Sequence, residues 1–141
     1  MDETEFRRLG PDDADLVVAA GDTLFDDPPR ADWTAAALAD PATYIVGAVR
    51  GGALVAFAAG AILRQPDKPP AFYVNELGVI DALHRRGIGT DLLRATMRVA
   101  RKAGCATMLV TAEEDDPRAR AFYGAARGRE DAVGVVYIWP L

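Results

Sequence analysis

The sequence has very little of several features that would identify its class at once. It contains one cysteine, Cys105, among 141 residues, which excludes an internal disulfide and a cysteine-based metal cluster. No apolar run approaches the roughly 20 residues that a membrane-spanning helix needs. The opening stretch, MDETEFRRLG, lacks the apolar core of a secretory signal. We therefore expect a cytoplasmic protein with no metal and no membrane partner.

The chain also lacks an excess of positive charge. Its formal net charge is −5, which argues against a polyanionic partner such as nucleic acid and favours a cationic or neutral ligand. Half of the residues are hydrophobic, and a chain of this length suits one domain with a substantial core. We expect a single domain over residues 1–141.

Hydrophobic periodicity predicts an α/β fold with a mixed sheet. The glycine pair at positions 51–52 predicts a tight hairpin, because such a turn needs two positive φ angles. The fourth strand, third helix and fifth strand in succession predict a parallel crossover, and the fifth strand is of a buried type. The predicted strands are Glu5–Leu9, Thr43–Arg50, Ala53–Leu63, Phe72–Ile80, Cys105–Ala112 and Val133–Trp139. The predicted helices begin near Asp12 and span Ala31–Ala39, Asp91–Ala103 and Pro117–Ala126.

A glycine-rich loop opens the third helix. The run HRRGIGT, at His84–Thr90, places two arginines and two glycines where the helix begins. Free N–H groups and the positive end of the helix dipole attract a phosphate there, and glycines let the backbone approach it. No Lys-Ser/Thr pair follows, which excludes a Walker loop, and Leu92 stands where a dinucleotide fingerprint has Gly or Ala. A pyrophosphate site and a plain tight turn both remain.

The same run resembles the acetyl-CoA signature of the GCN5-related N-acetyltransferase superfamily. In that signature Arg or Gln, two residues, Gly, one residue and Gly or Ala open the central helix, and His84 takes the first place here. Downstream, Asp116–Tyr123 follows the superfamily spacing of Asn, Ala, an aromatic residue and Tyr, with Asp for Asn. The usual Gly four residues after the Tyr is Arg127 in this chain. The resemblance implies a mixed, mostly antiparallel sheet flanked by helices.

Within the superfamily the chain is most similar to the type I aminoglycoside 3-N-acetyltransferases. The similarity lies in LFDDP at Leu24–Pro28 and in DDP at Asp115–Pro117. It implies acetyl-CoA as cosubstrate, an aminoglycoside or other polycationic amine as acceptor, antibiotic resistance as a role, and a homodimer. Small amines, amino acids and peptide N-termini remain as alternative acceptors. A non-catalytic acetyl-CoA-binding module remains as an alternative of another class.

Acetyl transfer from a thioester needs a neutral amine, a stabilised oxyanion and a proton for the departing thiolate. Glu76 is the candidate base, acting directly or through a water, and its alternative role is a solvated charge or salt-bridge partner. Backbone N–H groups around Leu77–Val79 are the candidates for the oxyanion, freed by a bulge that Gly78 would allow. The resemblance makes Tyr123 the acid, and its alternative is core packing beside Phe122.

The remaining candidate residues fall into two groups. The cofactor group, implied by the resemblance, is Leu77, Gly78, Val79, His84, Arg85, Arg86, Gly87, Ile88, Gly89, Thr90, Asp116, Ala119 and Phe122. The second group could attract and orient a polycationic acceptor: Asp26, Asp27, Glu113, Glu114 and Asp115. Asp115 and Asp116 can equally cap the helix that begins at Pro117.

Overall fold

A computed structural model describes residues 3–141, and in these residues five strands and four α-helices are found. The strands are β1 (Thr4–Arg8), β2 (Thr43–Arg50), β3 (Ala53–Gln65), β4 (Lys68–Val79) and β5 (Thr107–Val110). The helices are α1 (Ala14–Ala20), α2 (Ala31–Ala39), α3 (Ile88–Lys102) and α4 (Pro117–Ala125). Single 3₁₀ turns occupy Pro11–Asp13, Gly21–Thr23 and Asp81–Leu83. None of the helices in residues 3–141 has the length and apolarity needed to cross a membrane.

The five strands form one mixed sheet in the order β1-β2-β3-β4-β5. Neighbours are antiparallel except β4 and β5, which are parallel and are connected through α3. The β2–β3 hairpin turns at Gly51 and Gly52, whose φ angles are 58° and 77°. The predicted α/β class, the hairpin and the parallel crossover are therefore confirmed.

Apolar side chains cover both faces of the sheet. One cluster joins Val46, Val74 and the inner face of α3, where Leu92 is fully buried. The other cluster joins Leu54 to residues of α1 and α2, including Val17. Consecutive residues of β2 alternate between the two clusters, as the two-residue period of a strand requires. Helices are thereby held on both faces, which positions the first turn of α3 beside the end of β4.

The chain divides into two compact units. The first extends to Val110 and the second is Thr111–Leu141. The sheet and the first three helices lie in the first unit, whereas α4 and the C-terminal residues lie in the second. The expectation of a single domain over residues 1–141 stays a prediction.

The prediction of a sixth strand over Val133–Trp139 is wrong. Residues 129–141 contain no regular secondary structure, and their apolar side chains are exposed. β-branched and aromatic residues favour a strand only where a neighbouring strand supplies hydrogen bonds and a packing surface. The sequence pattern of residues 133–139 therefore indicates that they can form a strand, but the structure shows no strand there.

Several boundaries also differ from the predictions. β5 is four residues long, and Leu109 at 41% exposure contradicts a buried-type strand. Within residues 3–141, β4 is the only strand that pairs with β5. The hairpin of β3 and β4 extends beyond the predicted strand ends at Leu63 and Phe72, with Gln65 opposite Lys68. α1 begins at Ala14, because the Asp13 carboxylate accepts the Gly10 N–H at 2.7 Å and keeps the preceding turn 3₁₀.

Candidate active site

The strand that carries Glu76 is interrupted by a β-bulge one residue before it. Val74 lies opposite Gly60 on β3. Glu76 lies opposite the preceding β3 residue, Ala59, so Asn75 has no counterpart in the register. An extra residue of this kind bends a strand and re-aims its side chains, and it often does so beside functional sites. The second half of β4 therefore begins at Glu76 with a changed direction.

This second half of β4 has one open backbone edge. β5 accompanies β4 only as far as Val74, whereas β3 follows it to Val79. Beyond the strand, the Ile80 N–H donates to the Val55 carbonyl of β3 at 3.0 Å. Consecutive residues direct their N–H and C=O groups to opposite edges, so Leu77 and Val79 present theirs to the open edge. The backbone groups predicted to meet an oxyanion thus face away from β3.

Gly78 permits a close approach, and the bulge expected there lies elsewhere. Gly78 pairs in register with Phe57. A Cβ on it would lie 3.0 Å from the Phe57 ring and 3.1 Å from the Leu24 carbonyl oxygen. The Phe25 ring packs on Phe57 with centroids 4.4 Å apart. The segment after α1 is therefore held against β4 at a position that leaves no room for a larger side chain.

Glu76 shares a face of β4 with Gly78, because side chains two residues apart on a strand point the same way. It therefore faces the Leu24 segment. Burial raises the pKa of the Glu76 carboxyl above its ordinary value, and repulsion from the Asp26 carboxylate raises it further. A raised pKa makes the carboxylate a stronger base, which suits removal of a proton from an ammonium group. Within residues 3–141 no salt bridge involves Glu76, which disfavours the salt-bridge interpretation.

His84 fastens the glycine-rich loop to the end of β4. Its Nε2 lies 2.7 Å from the Val79 carbonyl oxygen, so Nε2–H is the donor in this bond. The same nitrogen lies 3.7 Å from a carboxylate oxygen of Asp81. Where the family signature has Arg or Gln, this chain therefore has a side chain that braces the loop. Sequence reasoning missed this role, because the spacing to Val79 carries no signal of it.

The N-terminus of α3 presents three consecutive backbone N–H groups. Gly87 precedes the helix at a φ of 80°, and the first helical hydrogen bond joins the Asp91 N–H to the Gly87 carbonyl at 3.0 Å. The N–H groups of Ile88, Gly89 and Thr90 come before that bond and have no helical acceptor within residues 3–141. Ile88 is buried in the core, which fixes the helix start. The three groups form an anion site with the dipole behind it.

Two arginines add charge beside this helix start. Arg85 adopts a left-handed φ of 62°. Arg85 and Arg86 are exposed, and neither forms a salt bridge within residues 3–141. Their charge is therefore available to an anion on the helix. The predicted cofactor residues of this unit lie on one stretch, from the open edge of β4 to the first turn of α3.

In the second unit, Asp116 caps α4. Its carboxylate accepts the Ala119 N–H at 3.0 Å, which is one of the two roles left open by the sequence. Arg120 holds the residues on both sides of the helix, because its guanidinium donates to the Glu114 carbonyl at 3.0 Å and to the Glu130 carboxylate at 3.0 Å. The start of α4 is therefore fixed by side-chain contacts within its own unit.

Tyr123 lies half-buried on α4. Burial raises the pKa of its hydroxyl above the ordinary value, and the Asp116 carboxylate raises it further, so the proton is retained near neutral pH. The Phe122 ring lies 5.2 Å from the Tyr123 ring between centroids. Arg127, where the family has Gly, adopts a left-handed φ of 70°, and the Gly128 N–H donates to the Tyr123 carbonyl at 2.9 Å. Arg127 thus accepts the helix-ending conformation that usually falls to glycine.

The acidic residues predicted to bind an acceptor are all exposed. Asp26 and Asp27 belong to the first unit, and Asp26 is close enough to act on the pKa of Glu76. The other three, Glu113, Glu114 and Asp115, belong to the second unit with Tyr123. The Asp26 carboxylate thus acts electrostatically on Glu76, and joint action of Glu76 with Tyr123 stays a prediction.

Solved structures of acetyltransferases share this fold. An aminoglycoside acetyltransferase from an uncultured soil metagenomic sample, meta-AAC0020 in complex with sisomicin, superposes with a TM-score of 0.86 at 20% identity, covering 98% of this chain and 96% of that one. Aminoglycoside N-acetyltransferase AAC(6')-Iy in complex with CoA gives 0.83 at 17% identity, over 100% and 97% of the two chains. A ribosomal-protein-alanine N-acetyltransferase from Brucella melitensis biovar Abortus 2308 gives 0.77 at 20% identity, over 97% and 100%.

At these identities the likeness shows the fold alone. No curated protein sequence matches the chain significantly. The model of the acetyltransferase (GNAT) family matches residues 13–128, which include β4, the glycine-rich loop, α3 and α4. This match covers most of the chain and every site residue described above. The chain therefore belongs to the GNAT family of acetyltransferases and is an N-acetyltransferase.

Proposed function

We propose that this enzyme moves an acetyl group from acetyl-CoA directly to a primary amine of a polycationic acceptor of the aminoglycoside class. The observation that carries the proposal is the position of Glu76 on the face of β4 that the Leu24 segment approaches, where burial and the nearby Asp26 carboxylate raise the pKa of the Glu76 carboxyl. A base of raised pKa and a second carboxylate together favour an acceptor that arrives as a cation. The net charge of −5 is also negative and therefore also attracts a cationic acceptor.

The donor side rests on the open strand edge and the start of α3. The N–H groups of Ile88, Gly89 and Thr90 fit a pyrophosphate, and Arg85 and Arg86 add positive charge. Acetyl-CoA supplies the activated acetyl thioester when it is bound. The free N–H of Leu77 or Val79 donates to the oxygen that gains negative charge during transfer, which lowers the barrier most in a site closed to water.

On the acceptor side, two carboxylates have different roles. Asp26 attracts the ammonium groups of the acceptor, and Glu76 removes the proton that keeps the reacting amine from attacking. Asp27, also exposed on this segment, extends the negative surface. Holding both reactants in one geometry supplies part of the rate enhancement without any proton transfer.

The position of the acetylated amine stays open in this proposal. The sequence resemblance favours the 3-N type, whereas one of the similar structures bears the 6′ designation in its name. Acetylation at either position uses a polycationic acceptor, and the carboxylates near Glu76 suit such an acceptor in both cases. The proposal is therefore made for the class of acceptor.

Release of CoA thiol from acetyl-CoA tests the proposal directly. The purified enzyme is assayed with aminoglycosides, small monoamines, free amino acids and peptides with free N-termini. We expect the highest kcat/KM with the aminoglycosides, and mass spectrometry of the product reveals which amine is acetylated. A higher kcat/KM with an uncharged peptide or a monoamine would overturn the polycationic acceptor.

Replacement of Asp26 by Asn is expected to shift the pH dependence of the reaction. The Asp26 carboxylate raises the pKa of Glu76, so its removal lowers that pKa and the acid limb of kcat/KM moves to lower pH. The shift is measured against Asp22→Asn, an exposed change on the same connecting segment. An acid limb that stays in place, or moves upward, would contradict the coupling of the two carboxylates.

Replacement of Tyr123 by Phe is expected to lower kcat about tenfold, a smaller loss than general acids usually cause. The raised pKa of Tyr123 makes its hydroxyl a weak acid, and a thiolate is a good leaving group even without a proton. In the unchanged enzyme, kcat should fall by the same factor at the basic end of the pH profile, where the Tyr123 hydroxyl loses its proton. Phe keeps the aromatic ring and its packing on Phe122, so full kcat in Tyr123→Phe would assign Tyr123 to packing.

A further inference from the structure

The chain contains a single asparagine, and it stands immediately before Glu76. This residue is Asn75, and the only other side-chain amide among the 141 residues is Gln65. Asparagine is depleted in strands, because its short polar side chain packs poorly on a pleated surface and competes for backbone hydrogen bonds. A residue that breaks a local preference often marks a functional position. The place of Asn75 inside β4 therefore needs a reason other than strand stability.

The backbone of the bulge does not require asparagine. Asparagine is favoured over other residues where φ is positive, and the non-glycine residues with a positive φ in residues 3–141 are Arg85 and Arg127. The Asn75 side chain also makes no hydrogen bond within the described part of the chain, so it does not hold the bulge in place. Its amide is therefore available to a ligand.

Asn75 and Glu76 project from the same face of β4. Val74 and Leu77 both pack in the core that β4 shares with α3. Two residues therefore lie between core-facing positions, where a regular strand has one. Both are turned away from that core, toward the face that the Leu24 segment approaches. The bulge thus places an amide and a carboxylate side by side on the face where the acceptor is proposed to bind.

The pairing of β4 with β5 ends at the same point. Val74 is the last β4 residue that pairs with β5, so Asn75 is the first without a neighbour on that edge. The Asn75 side chain is exposed, whereas Glu76 is partly buried. The amide is the more accessible of the two groups, and an incoming amine can contact it before the amine loses its proton.

One amine nitrogen can contact both side chains. Neighbouring Cα atoms are about 3.8 Å apart, and an N–H···O hydrogen bond joins atoms about 2.9 Å apart. A primary ammonium group has three N–H donors. It can give one proton to the Glu76 carboxylate and still donate a second N–H to the amide oxygen of Asn75.

We propose that Asn75 binds the reacting amine, with its side-chain oxygen accepting a hydrogen bond from the nitrogen that Glu76 deprotonates. This inference rests on the proposed role of Glu76 and adds the residue that holds the amine once its charge is gone. Asp26 and Glu76 attract an ammonium group by charge, and that attraction ends when the proton leaves. A neutral amide still holds the neutral amine, whereas a third carboxylate would favour the ammonium form and oppose its deprotonation.

Asn75→Leu removes the hydrogen bond while keeping nearly the same side-chain size. We expect kcat/KM for the amine to fall at least about tenfold, because one hydrogen bond of the complex is lost, and the KM for acetyl-CoA to stay nearly unchanged. Gln65→Leu removes the other exposed amide, at the far end of the β3–β4 hairpin, and should behave like the unchanged enzyme. Circular dichroism checks the fold, and Asn75→Ala replaces Asn75→Leu if the latter is unfolded.

The assay uses kanamycin or, where another amine of the acceptor panel has a higher kcat/KM, that amine. A different best acceptor overturns the aminoglycoside class and leaves the test of Asn75 in force. An unchanged kcat/KM for the amine in Asn75→Leu, or an equal rise in the KM for acetyl-CoA, would overturn the role of Asn75.

Asn75→Asp separates a hydrogen-bonding role from a structural one. Aspartate keeps an acceptor oxygen at the same reach, so the KM for the amine should not rise. Its charge should raise the pKa of Glu76 further, as Asp26 already does. Activity is lost as the pH falls through that pKa, so the acid limb of kcat/KM should move to higher pH. A KM as high as that of Asn75→Leu, or an acid limb that stays in place, would remove Asn75 from the reacting amine.

Amine binding without turnover keeps this inference distinct from the role of Glu76. The Kd of the same amine is measured by calorimetry in the presence of saturating CoA, which carries no acetyl group to transfer. We expect Asn75→Leu to raise this Kd at least about tenfold. Full kcat in Glu76→Gln would overturn the base alone, whereas an unchanged Kd in Asn75→Leu would overturn the amine contact alone.

Discussion

The Glu76→Gln enzyme is expected to lose kcat by about 10²–10⁴-fold while its KM for acetyl-CoA stays nearly unchanged. Gln keeps the size and hydrogen-bonding capacity of the side chain but cannot accept a proton at neutral pH. Glu76 lies on β4 next to the bulge and on the face shared with Gly78, and Gln fills the same space there. Stopped-flow measurement of CoA thiol release, with saturating acetyl-CoA, gives kcat directly.

The pH profile of the same variant separates a base from a merely structural carboxylate. Because burial and Asp26 raise the pKa of Glu76, the unchanged enzyme loses activity as the pH falls through that raised value. In Glu76→Gln the acid limb that belongs to Glu76 should disappear. The residual rate should instead rise with pH through the pKa of the acceptor amine, as the free amine forms without a base. Glu5→Gln, on the exposed surface of β1, is the matched control. Full kcat in Glu76→Gln with a good acceptor would remove Glu76 from the mechanism.

Reversal of both charges in Arg85→Glu/Arg86→Glu should raise the KM for acetyl-CoA by about 100-fold and leave the folded state intact. Both side chains are exposed and pair with no carboxylate within residues 3–141, so no existing ion pair is broken. The new carboxylates stand beside the N–H groups of Ile88, Gly89 and Thr90, where they compete with a pyrophosphate. Initial rates across a range of acetyl-CoA concentrations give the KM.

A charge-matched control identifies the location of the effect. Arg64→Glu/Lys68→Glu changes the net charge by the same amount at the far end of the β3–β4 hairpin. If binding depends on local contacts at α3, this control keeps the original KM. An equal rise in both double variants would mean that only overall charge attracts the cofactor. Raising the salt concentration should also increase the KM of the unchanged enzyme, because the phosphate contacts are partly exposed.

Local signals in the sequence predicted most of the first unit. The glycine pair of the β2–β3 hairpin, the bounds of α2 and the amphipathic pattern of α3 each need only a few neighbouring residues. The glycine-rich loop was located for the same reason, since free N–H groups follow from the start of a helix. What sequence spacing could not supply was the bond from His84 to Val79, which depends on how the loop folds back.

The bulge of β4 was legible in the sequence and was assigned to the wrong residue. Phe72 and Val74 pack in the same core as Leu77 and Val79, so the apolar alternation changes phase between the two pairs. A phase change in a strand requires an extra residue, which is Asn75. Gly78 is needed for a different reason, because a residue without a side chain there admits the Leu24 backbone.

The errors in β5 and in residues 133–139 share one cause. Apolar, β-forming residues show that a segment can join a sheet, and they do not show which strand it pairs with. Within residues 3–141, β5 pairs with β4 alone and residues 133–139 pair with no strand. Strand propensity is local, whereas a strand forms only where a distant segment supplies its hydrogen bonds.

The contact between Gly78 and the Leu24 backbone has a consequence for the evolution of acceptor choice. The segment is held by a main-chain oxygen and the ring of Phe25, while within residues 3–141 the exposed side chains of Asp26 and Asp27 form no salt bridge that would hold it. Those two positions can be substituted without moving the backbone segment to which they belong. A lineage could therefore exchange one amine for another by altering two exposed residues, while the proton-accepting strand and the nucleotide end of the site remained as inherited.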